Sequence, residues 1–362
     1  MAKNPELKDS AFIVGADPKQ GRGRGVVLAY NYPARKFGVH SGMPISRAWE
    51  LCPNARYVFP NHKLYGEVSS RVMAIIREFT NKMEQVSIDE AYLDFSGDPA
   101  VAPLTGEQRR NHAIRSIAAE IKKRIGKKEN ITCSIGVSNS KIVSKIATDM
   151  NKPDGLTIAD PSRVKEFLAP LPVGKIPGVG RVSQKILLDS FKIETISDLG
   201  KVPLEDLKEK FGRSALWFKN IAEGIDDESE VITDWEPVSQ SGETTFDEDE
   251  SDYEKVSGAM REVAKDVHKR AAEGYLFRNI GIKIRFAGFE THTRSRTLSA
   301  PTDSLDVVNR ECEKLLSEFA SSGRKVRLIG VRLSSLERKR SAGNILCWSG
   351  RPGRVDCFTF TR

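Results

Sequence analysis

Two periods of apolar residues alternate along this chain. In 11–17 (AFIVGAD) and 25–30 (GVVLAY) apolar residues cluster in short runs separated by the basic, glycine-rich PKQGRGR segment, a pattern that predicts a small β-hairpin. Pro33 in YPARKFG and Pro44 before ISRAWELC each mark the start of a short helix, where a missing amide is tolerated. Leu64, Val68, Val72, Ile75 and Phe79 recur at helical spacing, as do Ile114, Ile117, Ile121 and Ile125. Between these helices, MEQVSIDEAYLDF reads as two β-prone runs with Asp89 and Glu90 between them. ITCSIGV (131–137) predicts another strand. Ser138 is the expected N-cap of a following helix that carries Ile142, Val143, Ile146 and Met150 on one face. The first 160 residues therefore predict a sheet covered by helices.

After the Lys152-Pro153-Asp154-Gly155 turn and a short LTIA strand, residues 161–224 read as helices punctuated by Pro and Gly, a separate small helical domain. GIDDESEVITDWEP (224–237) reads as an acidic linker. Beyond it come a strand (SGETTF), a helix (252–272), two strands (278–287 and 291–298), a helix (303–320) and a strand (325–333). This βαββαβ order predicts a four-stranded sheet with helices on one face.

Length and charge narrow the class. The 362 residues suit two to three domains, and 39% hydrophobic with 29% charged residues is the balance of a folded protein. No apolar run approaches the roughly 18 to 20 residues of a membrane helix, so no membrane partner is expected. A formal net charge of +8 makes a polyanion a reasonable partner. The five cysteines (Cys52, Cys133, Cys312, Cys347, Cys357) form no close pairs, which fits a reducing interior rather than a zinc site. With a polar N-terminus lacking a secretory core, the expected location is the cytoplasm.

Several residues could carry chemistry. Asp89 and Glu90 reach one site only if the chain turns between the flanking strands; two convergent carboxylates would then suit hard, oxygen-seeking Mg²⁺. Tyr32 and Arg35, three apart at a helix start, share a face on which a phenol and a guanidinium could hold a triphosphate. Lys141 and Lys145 lie one turn apart, facing either a DNA backbone or solvent. Ile176-Pro177-Gly178-Val179-Gly180 with Arg181 and Ser183 reads as a helix-hairpin-helix turn, whose glycines let backbone amides approach a phosphate. In the last domain Lys283 and Arg285 alternate with Ile280, Ile282, Ile284 and Phe286, giving one strand a basic face; His292, Arg294 and Arg296 are expected to extend it. The acidic run from Asp247 to Glu254 reads as charge at a helix N-terminus. GRGRG at 21–25 lacks the lysine and hydroxyl of a phosphate-binding P-loop.

The string Ser87-Ile88-Asp89-Glu90-Ala91-Tyr92-Leu93-Asp94 resembles the palm signature of the Y-family (translesion) DNA polymerases. In the same order, NYPARKFGV with SGMPI, SIGVSNSKIVSKIATDMNKPDG, IPGVGRVSQKIL, SGETTFDED and KVRLIGVRLSSL resemble other segments of that family, over roughly residues 4 to 336. The resemblance implies a right-hand polymerase, α/β and α+β in class. Its expected parts are fingers (1–61), palm (62–160), a helical thumb with the helix-hairpin-helix (161–224), a linker (225–237), a βαββαβ little finger (238–336) and a tail (337–362). It implies low-fidelity, template-directed addition of dNTPs to a primer 3′ end on primer-template DNA, in DNA repair and damage tolerance, by a monomer. Asp89 and Glu90 would hold Mg²⁺, with two ions expected, while Tyr32, Arg35 and Lys152 would orient the triphosphate.

The sequence also departs from that pattern. Family members begin with a palm strand that carries a metal-binding aspartate, followed by an aromatic residue that excludes ribonucleotides; MAKNPELKDSAFIVGAD aligns after that strand, and neither Asp9 nor Asp17 replaces the aspartate. The expectation is a palm sheet with unpaired backbone groups, impaired catalysis and, as an alternative function, a non-catalytic DNA-binding protein. A sliding clamp is a further partner that the resemblance implies, but the tail has aromatic residues without a clear Gln-led clamp peptide, and Ala29 stands where relatives commonly carry a hydroxyl residue.

Overall fold

Four apolar clusters follow one another along the computed structural model, which describes residues 9–98, 101, 107–226, 230–339 and 357–361. Expectations resting on residues 1–8 or 340–356 lie outside this set. The chain divides into two units, one formed by Lys3–Pro60 with Glu236–Trp348, the other by Asn61–Trp235 with Ser349–Arg362.

In the first unit, β1 (Phe12–Gly15), β2 (Val27–Tyr30), α1 (Tyr32–Arg35), α2 (Ile45–Leu51) and β3 (Arg56–Val58) enclose Ile13, Val27, Ala34 and Ile45. The predicted hairpin is present as the antiparallel β1–β2 pair, but β1 also pairs in parallel with β3, giving the order β2-β1-β3. A partner some 40 residues away leaves no trace in local periodicity. Gly25 makes the connecting turn possible: its φ is +111°, and a Cβ there would lie 2.6 Å from the Ala16 Cβ.

The second unit starts with α3 (His62–Arg77), β4 (Met83–Gln85), β5 (Glu90–Asp94), α4 (Glu107–Glu129), β6 (Ser134–Ser138), α5 (Lys141–Met150) and β7 (Leu156–Ile158). Alternation along β5 sends Ala91 and Leu93 into a core shared with α3 and α4, where Met73, Ile76, Ile121 and Ile125 are buried. Ser138 is the last residue of β6 and not a cap. The α5 N-cap is Ser140, whose hydroxyl accepts from the Val143 amide at 3.1 Å; the strand runs one residue further than the sequence suggests, and the cap falls two residues later. The helical segment follows as α6 (Val164–Leu168), α7 (Arg181–Phe191), α8 (Ile196–Lys201), α9 (Leu204–Phe211) and α10 (Ser214–Ala222), around Leu168, Leu187, Leu207 and Phe218. The apolar face of α5 (Val143, Ile146, Ala147) packs into this second core.

The expected βαββαβ segment is β8 (Ser239–Glu250), α11 (Tyr253–Ala272), β9 (Tyr275–Phe286), β10 (Thr291–Thr302), α12 (Leu305–Ser317) and β11 (Val326–Arg338). The strands lie in the order β10-β9-β11-β8, all antiparallel, and both helices pack on one face over Ile280, Ile282, Ile284 and Leu333. The acidic run is not wholly a helix terminus. Asp247–Glu250 complete β8, and Asp252 caps α11 by accepting from the Glu254 and Lys255 amides.

Like β3, the last strand was not expected. β12 (Cys357–Thr361), from the segment read as a tail, returns to the second unit and lies between β5 and β6, antiparallel to both, so the sheet order is β4-β5-β12-β6-β7. This corrects the expectation of a sheet with an unpaired gap: the backbone groups of β5 and β6 that would have lacked partners face β12. Local pattern could not foresee the pairing, because the partners are more than 200 residues apart. Among the described residues, no helix is long and apolar enough to cross a membrane.

Candidate active site

The carboxylate pair sits where β4 turns into β5. The amides of Val86 and Ser87 both donate to the Glu90 carbonyl (3.0 and 3.2 Å), so the chain reverses there, as the adjacent carboxylates require. Asp89 is exposed at the turn, and its Oδ1 accepts from the Ser87 hydroxyl at 2.6 Å. Glu90 is the first residue of β5, on the face opposite the buried Ala91 and Leu93. Its Oε2 lies 2.7 Å from Lys145 Nζ, with both side chains largely covered.

Helix α5 lies on that same face. Gly136 in β6 allows the approach, since a Cβ there would sit 2.1 Å from the Ser144 carbonyl oxygen and 2.4 Å from the Thr148 amide. Lys141 ion-pairs with Glu84 at 3.1 Å and stands over the Tyr92 ring at 5.7 Å, while Lys145 holds Glu90. Glu84 also accepts from the Ile232 amide at 3.0 Å. The sequence left these lysines facing either DNA or solvent; here both ammonium groups are engaged by carboxylates of the adjacent hairpin. Lys152, past the end of α5, pairs with Asp149 at 2.6 Å.

Tyr32 and Arg35 belong to the first unit. Asn31 fixes their turn: its Oδ1 accepts from the Ala34 amide (3.1 Å) and the Phe12 amide (3.0 Å), and its Nδ2 donates to the Ser10 carbonyl (2.7 Å). Ala34 points into the core, leaving the Tyr32 and Arg35 side chains exposed. Neither side chain has an ion-pair or hydrogen-bond partner among the described residues.

In the helical segment, buried Ile176 and Val179 anchor the turn, while Gly178 between them and Gly180 after them are exposed. Gly178 has a φ of +90°, a region that L side chains rarely adopt. Gly180 is the N-cap of α7 and offers no side-chain cap, so the first amides of that helix are left for another acceptor. Arg181 is exposed beside them and Ser183 is half-buried.

The last domain divides its predicted basic face in two. Lys283 and Arg285 project from β9 on the side away from the helices, with Lys283 paired to Glu243 at 2.7 Å. Arg294 and Arg296, however, are register partners of Ile282 and Ile280, and so share the helix side; they pair with Glu318 (2.9 Å) and Glu311 (3.5 Å) of the α12 segment. Parity along one strand does not carry to the next without the register. The open face is richer than expected in hydroxyls, with Ser241, Thr245, Thr293 and Ser295 beside the exposed Arg332, a cation that sequence reasoning passed over. Also missed was Arg24 of the glycine-rich turn, which donates to Asp249 Oδ1 at 2.6 Å and to the Phe246 carbonyl at 3.2 Å.

Comparison with known proteins agrees with this order of parts. Residues 1–149 match the impB/mucB/samB family, 161–193 the IMS family HHH motif and 237–345 the impB/mucB/samB family C-terminal domain. The chain is 44% identical over 338 residues to DNA polymerase IV of Methanoculleus marisnigri, covering 93% of this chain and 90% of that protein. It is 42% identical over 341 residues to DNA polymerase IV 2 of Methanosarcina mazei, covering 94% and 89%. Among solved structures, the Y-family DNA polymerase chimera Dbh-Dpo4(243-245)-Dbh matches with a TM-score of 0.80 at 27% identity, over 92% of this chain and 94% of that one. DinB from Sulfolobus solfataricus matches with a TM-score of 0.58 at 28% identity, over 92% and 93%. Nothing in these matches favours the non-catalytic alternative. With its parts in this order and its carboxylate turn at the head of β5, the chain belongs to the impB/mucB/samB family, the Y-family DNA polymerases of the DNA polymerase IV kind.

Proposed function

We propose that this protein extends a primer 3′ end on a DNA template with dNTPs, including opposite damaged bases, as a monomeric cytoplasmic enzyme of DNA repair and damage tolerance. The observation that carries the reading is the Asp89-Glu90 turn, with one carboxylate exposed and the other on the face of β5 opposite the buried core. Among the described residues no group of three or more His, Cys, Asp or Glu side chains could form a closed metal cage. Two hard carboxylates at a turn fit Mg²⁺ in its usual enzymatic mode, in which the protein supplies one or two carboxylates and the substrate's phosphates supply much of the rest. Bound there, the ion would neutralise charge that develops on phosphate oxygens.

The chain's own residues supply binding and positioning. The Arg35 guanidinium, exposed and without a competing carboxylate among the described residues, is suited to a bidentate grip on phosphate, with the Tyr32 hydroxyl one turn away. Lys152 would add a second cation after exchanging Asp149 for phosphate. The α7 amides after Gly180, with Arg181 and Ser183, would hold a DNA backbone without reading sequence. Lys283, Arg285, Arg332 and the surrounding hydroxyls would hold another stretch of it. In this reading the parts are fingers (1–61), palm (62–160), thumb (161–224), linker (225–237) and little finger (238–336), with β12 of the former tail counted in the palm.

The test is primer extension with dNTPs and Mg²⁺. Glu90→Ala is expected to lower the rate by at least about a hundredfold, the scale of several kcal/mol of lost charge stabilisation. Unchanged extension in that variant would refute the assignment.

A further inference from the structure

β5 and β6 do not pair with each other. Between them lies a gap one strand wide, about 9 to 10 Å for two inter-strand spacings, and β12 fills it. The registers run continuously on both sides. Cys357 faces Asp94 and Ser138, Thr359 faces Tyr92 and Gly136, and Thr361 faces Glu90 and Ser134. Beneath the gap the sheet is dry: Ala91, Leu93, Ile135 and Val137 are all buried. Unfilled, it would leave the inner backbone donors and acceptors of two central strands without partners over an apolar core, where each unpaired group costs about 1–3 kcal/mol. The end of β12 at Thr361 is opposite Glu90, so the same strand borders the residue proposed to hold the metal.

We propose that Cys357–Thr361 is a built-in complementing strand: the slot between β5 and β6 accepts one extended segment, this chain's own C-terminal strand occupies it, and its presence holds the Glu90 end of β5 in place. The mode is strand addition, with main-chain hydrogen bonds supplying the affinity, here inside a sheet and from the same molecule. The chain reaches the slot after leaving β11 in the other unit at Arg338, with 18 residues, 339–356, between the two strands.

The register supplies a direct test in the full-length protein. Directly opposed residues of an antiparallel pair have Cα atoms about 4.5–5.5 Å apart, within disulfide range. In Ser138→Cys, mild oxidation with copper phenanthroline is expected to link position 138 to Cys357 within one molecule, as read by peptide mass spectrometry. Absence of that link, or a link only between two molecules, would overturn the proposal. A second arm uses a chain ending at Asp356. Its β5 and β6 amides are expected to exchange hydrogen about tenfold faster or more, and a synthetic peptide of residues 354–362 should restore their protection. Unchanged protection without the peptide would also overturn it. These readouts do not depend on polymerase activity. Only the expected fall in primer extension by the shortened chain, and its recovery with peptide, rests on the proposed function, so the two ideas can fail separately.

Discussion

Lys145 Nζ lies 2.7 Å from Glu90 Oε2, so the carboxylate proposed to hold the metal is itself held by an ammonium group from the neighbouring helix. A cation bound at Glu90 must displace or repel that ammonium. The pair is partly covered but not sealed from solvent, so its contribution is that of an ordinary ion pair, about 0.2–1 kcal/mol. Lys145→Met is therefore expected to lower the Mg²⁺ concentration that half-saturates primer extension by roughly two- to fivefold. The log–log salt slope of DNA binding should stay the same. A slope smaller by about one would instead put Lys145 on a phosphate.

Gly136 and the backbone of α5 set where Lys145 can be. A methyl group at position 136 would lie 2.1 Å from the Ser144 carbonyl oxygen, a backbone atom that no rotamer change can move away. Gly136→Ala should push α5 off the sheet and cost about 1–3 kcal/mol or more, seen as a lower urea midpoint at unchanged m-value. If the midpoint does not move, α5 is more loosely seated than this close approach implies.

How much of this was legible beforehand depended on the distance over which each feature is decided. The α3 and α4 helices, the βαββαβ order and the carboxylate turn follow from residues within a few positions of one another, and the sequence pattern carries them. Ser140 rather than Ser138 as the α5 cap is a two-residue error of the kind that strand-to-helix junctions produce, because both serines satisfy the local rule. The assignment of Arg294 and Arg296 to the basic face failed for a different reason. Alternation along β10 says only that the two share a face, and the pairing of Arg294 with Ile282 decides which. β12 was invisible because the pattern of CFTFT says strand at most, while its place between β5 and β6 is a property of the whole sheet.

The division of basic residues in the last domain yields a paired prediction. Lys283, Arg285 and Arg332 are on the open face, so replacing any one of them with Ala should reduce the salt slope of DNA binding by about one for each phosphate that the side chain neutralises. Arg294 and Arg296 face α12 and are bound to Glu318 and Glu311. Their Ala variants should keep the slope and lower stability by about 0.2–1 kcal/mol. The comparison is made by titrating each variant against a labelled primer-template at several salt concentrations. Equal slope changes on both faces would mean that the register-defined division does not govern DNA binding.

Glu290, at the turn between β9 and β10, accepts hydrogen bonds at 2.6 Å from Arg324 and at 2.6 Å from His292. The Arg324 hydrogen bond first, then that of His292, hold its carboxyl down from 4.5 to about 2. A carboxyl whose folded pKa lies below its unfolded one stabilises the fold above the unfolded value, and that contribution disappears as pH falls from about 4.5 towards 2. Carbon-detected NMR titration of the side-chain carboxyl should give a midpoint of about 2 in the native protein, moving back towards 4.5 in Arg324→Gln. Because the group is exposed, added salt should move the native midpoint upward as well. A midpoint that stays near 4.5 in the unsubstituted chain at low salt would show that the Arg324 pair does not persist in solution.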